Sequence, residues 1–173
     1  MQNVKVRLRP LVLDDAVHYA RLLGDDWDNI KTTATIPHPC TEAAARTWIA
    51  QRMDKHPNLF AILRQPDDEF VGAIGLVEKS DDAFEVGYWI GREHSGKGYA
   101  TVAVQLVIAL VPSLNVSKLL AGVFPENAAS ARILEKNGFR FTGISQVNLP
   151  LRGGLRTNHE YELDVARTSV CDT

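Results

Sequence analysis

Cysteine is nearly absent: the 173 residues contain two, Cys40 and Cys171, far apart in the chain. That excludes a disulfide-stapled scaffold and fits a reducing, cytoplasmic setting. Neither sign of charge dominates. Lys and Arg total 19 against 21 Asp and Glu, for a net charge of -2. Without a general basic field, direct binding to nucleic acid is not expected. Long apolar runs are missing as well. The longest, Val102 to Pro112, is broken by Gln105 and falls far short of the roughly 20 residues a membrane span needs. The segment Met1 to Arg9 alternates in polarity instead of forming an apolar core, so it does not read as a signal peptide. His18, His56 and His159 are scattered without ligand spacing, and no metal is expected. There are no repeats, low-complexity tracts or long linkers. With 45% hydrophobic residues, one domain over residues 1–173 can bury a sizeable core.

Periodicity supplies the elements. Val4, Val6 and Leu8 alternate with charged residues and predict a strand that Pro10 ends. Asp14-Asp15 opens a helix with Leu13, Val17 and Ala20 on one face, and Gly24 is its stop. Residues 25–40 are irregular and long enough for a binding loop. Thr41 caps a helix in which Ala45, Trp48, Ile49 and Met53 share a face. Three strands follow at Leu59 to Arg64, Phe70 to Val77 and Phe84 to Ile90, joined by polar turns. Then come an apolar helix, Tyr99 to Val111, a buried strand, Lys118 to Phe124, and a helix capped by Asn127 and ended by Gly138. Phe139 to Val147 and Asn158 to Val165 alternate and close the chain around Gly153-Gly154. The order β-α-α-β-β-β-α-β-α-β-β implies an α+β mixed sheet. It is antiparallel in the early meander, with one parallel pair made by the strand–helix–strand crossover.

The most informative stretch is Ser95-Gly96-Lys97-Gly98-Tyr99-Ala100. It follows a strand and opens a helix, whose first N–H groups lack partners and whose dipole favours an anion. Glycines let such a backbone approach a phosphate or pyrophosphate closely, and Lys97 adds a mobile positive charge. Residues 91–97 also fit the first seven places of a P-loop, but Gly98 stands where the magnesium-binding hydroxyl belongs. A dinucleotide fingerprint fails at Thr101 and has no acid about 20 residues on. On these residues alone an anion site and a simple tight turn both remain open.

A second cluster lies in Asn127-Ala-Ala-Ser130-Ala-Arg132-Ile-Leu-Glu-Lys136-Asn-Gly138-Phe139. With Gly96 to Ala100 it resembles the GNAT superfamily of acetyl-CoA-dependent N-acetyltransferases. Glu85-Val86-Gly87-Tyr88-Trp89-Ile90 and Ile36 to Glu42, followed by Trp48-Ile49, resemble the ribosomal-protein N-terminal acetyltransferase branch. The resemblance spans nearly the whole chain. It implies a single-domain, twisted, mostly antiparallel sheet flanked by helices, with the parallel pair forming the coenzyme cleft. Two places depart from the family pattern. Glu93 stands where the loop usually has Arg or Gln, and Leu134 stands where many members place a Tyr acid.

What the resemblance implies for the site is specific. Backbone N–H groups at Trp89, Ile90 and Gly91 would meet the thioester and pantetheine. Ser95, Gly96, Lys97, Gly98, Tyr99 and Ala100 would take the pyrophosphate. Asn127 would bond the pantetheine arm, Ser130 would sit by the sulfur, and Arg132 would reach a coenzyme phosphate. Each also has a plainer role: Asn127 as a helix cap, Ser130 as a helix-start serine, Arg132 as a solvated charge.

Glu85 is the expected base, directly or through water, since Glu85, Gly87 and Trp89 share one strand face; an ordinary solvated strand carboxylate is the alternative. The acceptor is a primary amine that must be neutral to attack. At pH 7 neutralising an α-amine costs roughly 1.4 kcal/mol, against nearly 5 for lysine. A modest base therefore suits a peptide or protein N-terminal α-amine. A small-molecule amine (amino acid, polyamine or antibiotic), or a module that holds acetyl-CoA without turnover, is the alternative. A P-loop-like nucleotide binder is a third. Trp27, His38 and Trp48 lie near the expected acceptor loops, residues 24–40 and 150–158. Cys40 lacks a base partner for a nucleophile's role. The acids Asp25, Asp26 and Asp28 would attract a cationic acceptor unless they form only a solvated run. Monomer and homodimer are both compatible with the sequence.

Overall fold

A computed structural model describes residues 4–166. Seven strands form one sheet: β1 (Val6–Pro10), β2 (Leu59–Arg64), β3 (Glu69–Ser80), β4 (Ala83–Ile90), β5 (Lys118–Val123), β6 (Arg140–Leu149) and β7 (Gly154–Asp164). Their spatial order is β1-β2-β3-β4-β5-β7-β6. Every neighbouring pair is antiparallel except β4 and β5. The expected mixed, mostly antiparallel architecture is present. Pro10 is the last residue of β1, as expected, and still stands opposite Phe60. An edge strand tolerates a proline because one of its sides needs no ladder hydrogen bond.

Helices cover both faces, and the strand alternation sorts residues between them. On one face α4 (Tyr99–Leu110) lays down the stripe Ala100, Ala103, Val104 and Val107, at the i, i+3, i+4, i+7 spacing of a buried helix side. It packs with Leu134 of α5 (Ala128–Lys136) against Ile62, Ile74, Leu76 and Val86. Fully burying each such aliphatic side chain contributes about 1.5–3 kcal/mol. On the other face α1 (Ala16–Leu22) and α3 (Glu42–Met53) pack Tyr19, Leu22, Ala45 and Ile49 against Ala61, Leu63, Phe70 and Trp89. Met53, expected on the apolar face of α3, is exposed at the helix end.

The segment between α1 and α3 contains a short helix, α2 (Trp27–Ile30), capped by Asp26, whose carboxylate accepts from the Asn29 N–H. The closing hairpin is longer than its alternation suggests. β7 begins at Gly154, so most of the expected loop at 150–158 is strand. The turn between β6 and β7 needs two consecutive residues at positive φ, which Gly153 and Gly154 supply.

Candidate active site

The parallel pair β4 and β5 stays together for three residues only: Ala83 with Lys118, Phe84 with Leu119 and Glu85 with Leu120. β4 then runs on to Ile90 along β3, and β5 to Val123 along β7, without pairing with each other. The sheet thus opens in its middle, at the carboxyl ends of both strands. Each strand leads there toward the N-terminus of a helix, β4 toward α4 and β5 toward α5. The C-terminal end of α5 meets the first turn of α4, where Asn137 Nδ2 donates to the Thr101 carbonyl at 3.5 Å.

The open edge of β4 has a definite set of donors. The Gly91 N–H donates to the Val71 carbonyl at 2.9 Å. Alternation along an antiparallel strand then turns the Trp89 and Gly87 N–H groups toward β3 as well, and turns those of Tyr88 and Ile90 toward the opening. Of the three expected backbone donors, Gly91 is already engaged and Trp89 faces its sheet neighbour; Ile90 alone faces the split. The Ile90 carbonyl, on the same side, accepts from Asn29 Nδ2 at 3.0 Å.

Past β4, Gly96 (φ +74°) and Gly98 (φ +84°) adopt the left-handed conformation that glycine takes without strain. Gly98 is the N-cap of α4, and the first bond of the helix runs from the Val102 N–H to the Gly98 carbonyl at 3.2 Å. The N–H groups of Tyr99, Ala100 and Thr101 therefore carry no intrahelical bond. Ser95, Gly96, Lys97 and Gly98 are exposed, while Ala100 is buried in the core. Lys97 folds back, its Nζ donating to the Glu93 carbonyl at 2.9 Å. Glu93 itself is bound by Arg21 at 2.8 Å, and Arg92 reaches away to Asp26.

A cavity of about 430 Å³ fills the opening. Glu85, Gly87, Tyr88, Trp89, Asn127 and Ser130 all line it. Ile90, Gly91, the loop 95–100 and Arg132 do not, and Arg132 is exposed on α5. Trp89 lines the cavity from a side chain that is otherwise buried against Tyr19, with ring centroids 4.8 Å apart. Gly87 leaves open space where a side chain would stand. Asn127 caps α5, its Oδ1 accepting from the Ser130 N–H at 3.1 Å. Glu85 is half-exposed, and its carboxylate pairs with Lys79 at 3.0 Å.

Several lining residues had no signal in the sequence. The Tyr88 hydroxyl lies 2.8 Å from Ser130 Oγ and 3.3 Å from the Ser130 carbonyl. Burial pushes the Tyr88 phenol up to about 12, and the bond to Ser130 offsets part of that rise. Leu134 is fully buried core, so the helix offers no acid there. Asn158 of β7 packs its amide on Gly122, where a β-carbon would lie 2.6 Å from Asn158 Oδ1. At the other end Arg52 and Trp48 of α3 meet Thr35. Trp48 is half-buried, packed on Tyr19 at 5.8 Å, and lines the cavity as well as the core's edge.

The remaining candidates are used structurally. Cys40 is fully buried and its thiol is pushed up to about 11 by burial, which removes the thiolate a nucleophile needs. Cys171 lies outside the described residues. Of the acids of the 25–28 run, Asp26 is paired with Arg92 and Asp28 with Lys31, and Asp25 lies 3.2 Å from His38 Nε2. Trp27 is exposed beside His38 and under Arg152. Glu69, Glu93 and His94 bring three ligand-type atoms within 4.8 Å of one another. Arg64 and Arg21 already neutralise the two carboxylates, at 2.6 and 2.8 Å.

A mixed sheet parted between its parallel strands, with a glycine-capped helix start at the parting, defines an acetyltransferase fold. Residues 5–140 match the acetyltransferase (GNAT) domain model, and the chain belongs to that family. It is 30% identical over 163 residues to a probable N-acetyltransferase YjcK of Bacillus subtilis (strain 168), covering 88% of this chain and 90% of that one. Its fold is shared with the ribosomal-protein-S5-alanine acetyltransferase of Vibrio fischeri, at TM-score 0.75 and 21% identity over 92% of each chain. It is shared equally with the spermidine N-acetyltransferase of Vibrio cholerae, solved with CoA and spermine, at TM-score 0.77 and 18% identity over 92% of this chain and 95% of that one. Among the described residues no helix is long and apolar enough to cross a membrane.

Proposed function

We propose that this chain transfers an acetyl group from acetyl-CoA directly to an α-amine, such as a peptide or protein N-terminus. The observation that carries the reading is the parting of β4 from β5 after three paired residues, with two helix N-termini following those strands. A strand edge left unpaired inside a sheet is a row of backbone groups that need a partner. The amide-like pantetheine arm of the coenzyme matches the Tyr88 and Ile90 N–H groups there. The free N–H groups at the start of α4 fit its pyrophosphate by charge and by donor geometry. Asn127 stands beside the same arm, with Oδ1 committed to the cap.

The bound thioester supplies the acyl carbon and a thiolate leaving group. The protein has three tasks around it. First, the amine must lose its proton. Glu85 is the acceptor for it, directly or through a water, and the Lys79 cation on the same wall disfavours the charged ammonium form. Second, the developing oxyanion needs a donor, and the open-edge N–H groups of β4 are on that side. Third, the thiolate needs a hydrogen bond. Ser130 gives it, with its Oγ held by Tyr88. A phenol at about 12 lies well above an ordinary thiol near 8.5, so handing over the proton fully would cost roughly 5 kcal/mol. Tyr88 and Ser130 therefore act as hydrogen-bond donors, and the proton balance is completed through water.

The test is release of free thiol from acetyl-CoA with panels of N-terminal peptides, amino acids, polyamines and aminoglycosides. Peptide or amino-acid α-amines are expected to give the highest rates. Silence across every panel would contradict the enzyme and leave only a coenzyme-holding module.

A further inference from the structure

The acceptor end of the cavity is charged in one sense. Its lining carries one carboxylate, Glu85, and that is paired with Lys79. Arg52 is left over. It is partly buried, its guanidinium donates to Thr35 Oγ1, and it stacks over the Trp48 ring at 5.2 Å. Among the described residues no carboxylate forms an ion pair with it. A second groove adjoins the cavity and shares Thr35, Trp48 and Arg52 with it. Lys55 and His56 line that groove, and no acid does. Of the acids that would have welcomed a polycation, Asp26 and Asp28 are paired with Arg92 and Lys31, and Asp25 lies 3.2 Å from His38 Nε2.

A guanidinium fixed on an aromatic ring, half out of water, with Glu85 acting on it only from beyond ion-pair distance, is a receptor for a carboxylate-like anion. Arg52 and Glu85 share one cavity, so a single acceptor spans both. We infer that the acceptor carries a carboxylate close to its amine, and that Arg52, held by Thr35 and Trp48, binds that carboxylate while Glu85 faces the amine. This rests on the function proposed above. The anion has two sources, the α-carboxylate of a free amino acid or the side chain of Asp or Glu in the first residues of a peptide. A polyamine offers neither.

The experiment uses matched acceptors: free amino acids against their carboxamides, peptides beginning with Asp or Glu against those beginning with Asn or Gln, and spermidine. With thiol release as the readout, the anionic member of a pair is expected to have about tenfold higher kcat/KM. Preference for free amino acids or for acidic peptides identifies the source. Arg52→Gln should raise KM for the anionic members and leave neutral members and acetyl-CoA affinity unchanged. Arg52→Lys should keep part of the preference and serves as the folding control. Equal rates within pairs, or a uniform effect of Arg52→Gln, overturn the inference. If no amine is turned over at all, the function proposed above fails, and the anion site is then read by tryptophan fluorescence with N-acetylglutamate and its diamide. Saturable binding of the carboxylate form, lost in Arg52→Gln, upholds the site; no binding overturns it.

Discussion

The Tyr88 hydroxyl sits 2.8 Å from Ser130 Oγ, joining the open edge of β4 to the first turn of α5 across the mouth of the cleft. The two side chains come from strands and helices on opposite sides of the split, and one hydrogen bond couples them. If they act as a unit on the leaving sulfur, removing either should cost most of what removing both does. Tyr88→Phe and Ser130→Ala are each expected to lower kcat about tenfold with little change in KM, and the double variant to fall scarcely further. Steady-state rates for the three variants check this. Fully additive losses would mean that the pair does not work together.

The start of α4 gives the second prediction. Gly98 holds φ +84° at the helix cap, and a β-branched residue there is strained by about 1–2 kcal/mol. Gly98→Val should displace the neighbouring N–H groups and weaken acetyl-CoA binding at least tenfold by calorimetry. Lys97→Ala should weaken it much less, and more at low salt than at high, because that side chain is exposed and tethered to the Glu93 carbonyl.

Arg152 anchors the acceptor loop from the hairpin. It is buried, and donates to the Thr33 carbonyl at 2.8 Å, Thr33 Oγ1 at 3.0 Å and the Ile36 carbonyl at 2.6 Å. Arg152→Met leaves those acceptors without partners, and a loss of about 2–4 kcal/mol is expected in denaturant unfolding. Acceptor KM should rise while acetyl-CoA affinity holds, because the 33–36 segment lines the acceptor end and not the glycine loop.

Acid should loosen the tie between the 25–31 segment and the turn before the glycine loop. Two hydrogen bonds from Arg92 hold the Asp26 carboxyl below the usual carboxylate range. A group whose folded value is depressed gives stability that is complete above its unfolded value, about 4, and that disappears as pH falls through the lower folded value. The wild type should therefore lose more melting temperature between pH 5 and pH 3 than Asp26→Asn does. The exposure of Arg92 keeps the difference small.

Much of this molecule was legible in the chain. The alternation of β1, the short apolar runs of β2 and β3 between polar turns, the i, i+3, i+4, i+7 stripe of α4 and the capping residues Thr41 and Asn127 locate the elements, because burial on one face or on both leaves its pattern in the sequence. The glycine loop was legible because positive φ selects glycine. Long-range pairing was not. The engagement of the Gly91 N–H with Val71 depends on the β3–β4 register, which no local pattern encodes. Tyr88 looked like an ordinary strand residue until α5 brought Ser130 against it. Arg52 and Lys79 lie on elements far apart in sequence, and only the cavity shows that they share a wall with Glu85. The β7 start at Gly154 was hidden because its first residues show no apolar alternation: Leu155 is exposed, and Arg156, Thr157 and Asn158 are polar and only half-buried on an outer hairpin.

A structure of the protein with acetyl-CoA bound tests the central claim most directly. The account predicts pyrophosphate oxygens on the backbone N–H groups at residues 98–101, the pantetheine arm bonded to the Tyr88 and Ile90 N–H groups, and the sulfur beside Ser130 Oγ. A coenzyme bound elsewhere, or β4 and β5 paired through to Ile90 and Val123 with the cleft closed, would contradict it.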